Sequence, residues 1–170
     1  MKIVIVCGGD RTGKSSICRE FIENGYEYYH FDPPKKSPYQ EYKEFVDNVL
    51  KNPENKNKKF IIDRYMYCEF PYSKHYKRNT DMTIEKMQLI ESEILQLDNF
   101  ATIIYCENDI DDNLRLLNIE GKKEFNSKQE VLTLRTNYKL ALNKSLLHIL
   151  TYNFSIGNTP KQIFKEITNG

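Results

Sequence analysis

Short continuous apolar runs alternate with amphipathic segments along this chain. Residues 2–7, KIVIVC, are apolar without a break from Ile3 onward instead of at every second position, the pattern of a strand buried on both faces. Residues 15–24 then place Ile17, Phe21 and Ile22 on one side of a predicted helix, with Gly25 as its stop. A second strand is predicted at 26–31 and ends at Pro33 and Pro34, because proline cannot continue a ladder. Residues 39–51 turn Tyr42, Phe45, Val46 and Val49 toward a core, and the polar connector NPENKNKK follows. Strands are predicted at 59–63 and 100–106, with a helix at 83–97 between them capped by Thr83 or Asp81. A short helix at 111–117, a long one at 127–148, a fifth strand at 150–156 and a closing helix at 159–167 complete the order. Strands that alternate with helices imply right-handed crossovers. The expected fold is α/β: a five-stranded parallel sheet flanked by helices in three layers, one domain over 1–170.

Charge and composition narrow the class. A formal net charge of +1, with no sustained run of one sign, gives no field that would attract a nucleic-acid backbone. The longest strongly apolar stretch, residues 3–7, is far short of a bilayer span, and Met1-Lys2 leads straight into it without a signal-peptide pattern; no membrane partner and a cytoplasmic address are expected. Cys7, Cys18, Cys68 and Cys106 are isolated, so a disulfide framework or a zinc site has little support. The heavy use of Lys, Asn, Ile and Tyr is what an AT-rich coding sequence gives, which points to a low-GC microbe or a virus.

The apolar first strand runs straight into Gly8-Gly9-Asp10-Arg11-Thr12-Gly13-Lys14-Ser15, followed by Ser16, which satisfies G-x-x-x-x-G-K-[ST] between a strand and a helix. Phosphates need several donors at once. A loop supplies them only if successive backbone N–H groups point inward and no Cβ blocks the approach. Gly8 and Gly13 permit that, Lys14 adds a charge for the β- and γ-phosphates, Ser15 offers a hydroxyl to Mg²⁺, and the helix aims its positive end at the anion. After the third strand stands Asp63-Arg64-Tyr65. Ligands of open α/β sheets bind beyond the carboxyl ends of strands, so Asp63 is a candidate for Mg²⁺ or its waters and Arg64 for an acceptor phosphate.

GGDRTGKSS together with DRY resembles the thymidylate kinase family of P-loop kinases, which transfer phosphate from ATP to a deoxynucleoside monophosphate. The resemblance matches Asp10, Arg11, Gly13, Lys14 and Ser15 to the family's P-loop and Asp63-Arg64 to its DR pair, and EVLTLRTNYKLAL at 130–142 is similar to its helix following the lid. It implies Mg²⁺ as cofactor and ATP with dTMP or dUMP as substrates. It also implies that Asp10 binds the acceptor's 3′-hydroxyl, that Arg11 reaches between the reacting phosphates, and that the protein is a homodimer. A lid is expected at 118–128 with only Lys122 and Lys123, and Arg11 would supply the cation that arginine-rich lids carry elsewhere in the family.

The chain departs from the family where the acceptor is read. FDPPKKSPY offers only Lys35 and Lys36 where an arginine is common, and the segment before the third strand is short. Phe31, Tyr42, Phe45, Asn48, Tyr65, Phe70 and Tyr72 are candidate acceptor contacts, each with core packing as its other possible role. Two other classes compete. A deoxynucleoside kinase would need a carboxylate base, with Glu27 or Glu69 available, and a regulatory nucleotide-binding module would need an NKxD-type signature, which NKNK at 55–58 and NKSL at 143–146 lack.

Overall fold

In a computed structural model, residues 1–119 and 127–169 are described. Five strands, β1 (Lys2–Gly8), β2 (Glu27–His30), β3 (Lys59–Asp63), β4 (Thr102–Glu107) and β5 (His148–Asn153), form one sheet in the order β2-β3-β1-β4-β5. All four pairings are parallel. The central strand β1 divides its side chains between two cores, as the unbroken apolar run requires: Ile3, Ile5 and Cys7 face one, Val4 and Val6 the other.

The smaller core is closed by α1 (Lys14–Glu23) and α7 (Pro160–Asn169), with Phe21 edge-on to both Tyr26 and Phe164. The larger lies under α2 (Pro38–Phe45), α3 (Glu69–His75), α4 (Ile84–Leu97), α5 (Ile110–Ile119) and α6 (Lys128–Leu142). This is an α/β fold in three layers, with helices on both faces of a parallel sheet.

Several boundaries differ from the sequence reading for identifiable reasons. Ile22 stands 44% exposed beside buried Phe21, because the buried stripe of α1 runs through Lys14, Ile17, Cys18 and Phe21. Thr83 caps α4 by accepting from Lys86 N, whereas Asp81 accepts from Ser37 Oγ and Tyr39 N and so ties down the start of α2. The helix predicted to 148 stops at Leu142. There the buried carboxylate of Glu91 takes Ser145 Oγ at 2.5 Å and Leu146 N at 2.8 Å, releasing the chain to pair from His148. β5 therefore starts two residues and ends three residues earlier than predicted, and residues 154–156 form a 3₁₀ turn. Helix α3 has no counterpart in the sequence reading; its Pro71 sits in the first turn, where the N–H has no intrahelical partner to lose. All four cysteines are free and buried, and burial raises the thiol pKa of each.

Candidate active site

The loop between β1 and α1 is shaped by two glycines that no other residue can replace. At Gly8, φ is 139° and a Cβ would lie 2.2 Å from the Cys106 carbonyl oxygen; at Gly13, φ is 90° and a Cβ would lie 2.8 Å from Tyr152 Cε1. Lys14 folds back over the loop. Its Nζ donates to Gly9 O at 2.6 Å and lies 3.7 Å from Asp10 Oδ1, while Thr12 Oγ1 donates to Gly9 O at 2.7 Å. Ser15 and Ser16 are exposed on the first turn of α1. Arg11, Gly13, Lys14, Ser15 and Ser16 line a cavity of about 850 Å³ whose far wall includes His30, Asp63 and Tyr152.

β3 delivers Asp63 and Arg64 to the same place. Asp63 Oδ2 accepts from Tyr28 Oη at 3.1 Å and lies 3.1 Å from His30 Nδ1, both from β2, while Oδ1 is buried without a hydrogen-bond partner. Ser15 lines the same cavity, so the carboxylate of Asp63 and the hydroxyl of Ser15 are oxygen ligands of the type that would suit a hard divalent cation. Arg64 pairs with Asp10 at 2.7 Å, and Asp10 and Arg64 border both this cavity and a second one. Both site arginines hold left-handed backbone, φ 62° at Arg11 and 60° at Arg64; Lys77 is the one other non-glycine residue with positive φ among the described residues. Such strain clusters at functional sites.

The second cavity, about 380 Å³, is walled by aromatic and proline side chains. Phe31, Pro33 and Pro34 stand on one side, and Tyr72 of α3 stacks at 5.9 Å on Tyr76, just past its end, on the other. Glu69 and Arg78 also line it: the Glu69 carboxylate is 3% exposed, and Arg78 Nη2 donates to it at 3.4 Å. Burial pushes the Glu69 pKa above the ordinary value, against the lowering pull of Arg78.

Of the predicted site residues, Asp10, Arg11, Gly13, Lys14, Ser15, Ser16, Asp63 and Arg64 converge on the larger cavity, and Gly8, Gly9 and Thr12 build its loop. Phe31 and Tyr42 line the smaller one. Tyr65 is fully buried and donates its hydroxyl to Tyr42 O, and Phe45 packs in the same aromatic cluster, so both support the wall from behind. Phe70 packs at the edge of the larger core, and Asn48 is exposed. Lys36 is committed to Glu44 at 2.7 Å, and Glu27 pairs with Lys58 at the opposite end of β2 from the cavities. Lys122 and Lys123 of the expected lid lie outside the described residues. Tyr76 and Arg78 were missed; the only signal was the cluster of aromatic and basic residues in YSKHYKR, which reads equally as a polar loop.

No family model and no curated protein sequence matches the chain. Solved structures do. The YorR protein of Bacillus subtilis, in complex with phosphorylated GDP, superposes with a TM-score of 0.77 at 17% identity, over 99% of this chain and 94% of that one. A deoxyadenosine kinase of M. mycoides with bound dCTP gives 0.55 at 22%, covering 99% and 98%. The thymidylate kinase of Candida albicans gives 0.52 at 16%, covering 99% and 89%. The likeness is one of fold. Among the described residues no helix is long and apolar enough to cross a membrane.

Proposed function

We propose that this protein is a nucleoside monophosphate kinase that moves the γ-phosphate of ATP to a deoxynucleoside monophosphate, with dTMP or dUMP as acceptor. The observation that carries this reading is the Asp10–Arg64 pair, a single 2.7 Å contact that borders both a polar, glycine-looped cavity and an aromatic one. Two phosphates brought in line need such a shared wall.

In this reading the loop's N–H groups and Lys14 hold the donor phosphates. Arg11 stabilises charge on the transferring group, and Arg64 leaves Asp10 to grip the acceptor phosphate while Asp10 turns to the sugar. Ser15 and Asp63 would hold Mg²⁺, which when bound neutralises phosphate charge. Phe31 and Tyr76 sandwich the base, and Glu69 with Arg78 offers an acceptor and a donor to its edge. Thymine presents the complements, N3–H and O4. Guanine does also, so dGMP belongs in the test panel.

A second reading, a deoxynucleoside kinase, is favoured by one observation: the carboxylates of Asp32 and Glu69 line the aromatic cavity, where a 5′-hydroxyl would need a base. Incubation with ATP, Mg²⁺ and each deoxynucleoside monophosphate or deoxynucleoside separates the two. Diphosphate formed from dTMP or dUMP supports the first reading, monophosphate formed from thymidine supports the second, and ATP consumption with no acceptor supports the regulatory module.

A further inference from the structure

Four consecutive carbonyl groups of the β1–α1 loop accept hydrogen bonds from side chains. Tyr138 Oη donates to Gly8 O at 3.1 Å, and Thr12 and Lys14 to Gly9 O. Asn113 Nδ2 donates to Asp10 O at 2.8 Å, and Asn108 Nδ2 to Arg11 O at 3.1 Å. In a planar trans peptide the carbonyl of one residue and the N–H of the next point in opposite directions, so anchoring a carbonyl fixes where the following N–H aims. The Asp10 and Arg11 carbonyls are drawn toward α5 and the loop before it, which turns the N–H groups of Arg11 and Thr12 the other way.

Both asparagines are buried, Asn108 at 1% and Asn113 at 3% exposure. A buried amide is costly unless bonded, and asparagine is a poor helix residue, so local stability does not account for Asn113 within α5. Asn108 is itself oriented from a third element: Arg135 Nη2, on α6, donates to its Oδ1 at 3.0 Å. The loop is thus clamped by α5 and α6, the two helices on either side of residues 120–126.

We infer that Asn108 and Asn113 are positioning residues that set the peptide planes of the phosphate loop, and that Arg135 holds Asn108 in register for that task. The inference rests on the reading of this loop as a nucleoside triphosphate site.

The test measures ATP affinity by calorimetry, the two Michaelis constants and the melting temperature for wild type, Asn113→Ala, Asn108→Ala and Arg135→Ala. Each asparagine variant is expected to lose about tenfold in ATP affinity and to raise the ATP Michaelis constant in step, the scale seen when groups that orient metal ligands are removed. The acceptor constant should stay within twofold. Arg135→Ala, at a less buried position, should show a several-fold loss of the same kind. A purely structural role would instead lower the active fraction and kcat with both Michaelis constants unchanged, and that result overturns the inference, as does unchanged ATP affinity in folded variants. Should an asparagine variant fail to fold, Arg135→Ala decides alone. Failure of the wild type to bind ATP defeats the underlying reading instead.

Discussion

The two cavities that meet at Asp10 and Arg64 are made of different material. The larger is built from backbone: glycines at positive φ, a helix start and anchored carbonyls, with Lys14 laid across them. The smaller is built from side chains contributed by the β2–α2 loop, α2, the turn after β3, α3 and the segment beyond it. On the proposed reading the larger cavity takes a triphosphate, which is the same whatever nucleotide carries it, so a rigid backbone cradle suffices. An acceptor has to be told from its analogues, and discrimination between bases needs replaceable side chains. Substitutions should therefore act abruptly on the first side and gradually on the second.

The sharpest break is expected at Lys14. Lys14→Ala should lower kcat/KM by about 10³ or more with the melting temperature little changed, because it removes a charge from the phosphates and no core contact. Steady-state assays with calorimetry check this, and full activity would remove the donor assignment. Arg11→Ala should follow, with kcat down on the order of 10²-fold and both Michaelis constants near normal; a rise in KM alone would mean that Arg11 serves ground-state binding. Arg64→Ala should raise the acceptor KM by about ten- to a hundredfold, the cost of a lost charge-assisted contact, while ATP affinity holds. A selective loss of ATP affinity would reverse the roles given to the two cavities. Tyr76→Ala, half-exposed on the aromatic wall, should cost only a few-fold in acceptor KM, measured against an unchanged ATP KM.

The smallest effect concerns pH. The folded-state pKa of Glu69 is raised by burial above the unfolded value, so its ionisation opposes folding. That penalty is absent below the ordinary glutamate value of 4.5 and grows as pH climbs through the folded pKa. Glu69→Gln should flatten this slope, so the stability of wild type minus variant falls with rising pH above about 4.5 in denaturant titrations. A parallel pair of curves would show that the carboxyl is not desolvated.

The same contrast explains what could be read from the residues alone. The β1–α1 loop was legible because its geometry imposes fixed spacings: glycines where a Cβ would strike Cys106 O or Tyr152, and a lysine and a serine at the start of α1. Strands β1, β3 and β4 were legible through their nearly unbroken apolar runs. The aromatic cavity was not, because Phe31, Tyr72, Tyr76, Glu69 and Arg78 share no period or spacing, and an aromatic in the core leaves the same trace as one in a pocket. Tyr65 and Phe45 show the cost of that ambiguity, since both pack behind the wall and not on it. The end of α6 was hidden for a different reason: the carboxylate that stops it, Glu91, lies on α4, 54 residues from Ser145.

Arg11 and Arg64 both hold left-handed backbone that glycine adopts freely, at a cost on the order of 1 kcal/mol each. A library of this gene screened for heat resistance alone would accordingly drift toward glycine at those two positions. The survivors would be hardier proteins stripped of two guanidinium groups, one at the phosphate loop and one at the wall between the two cavities.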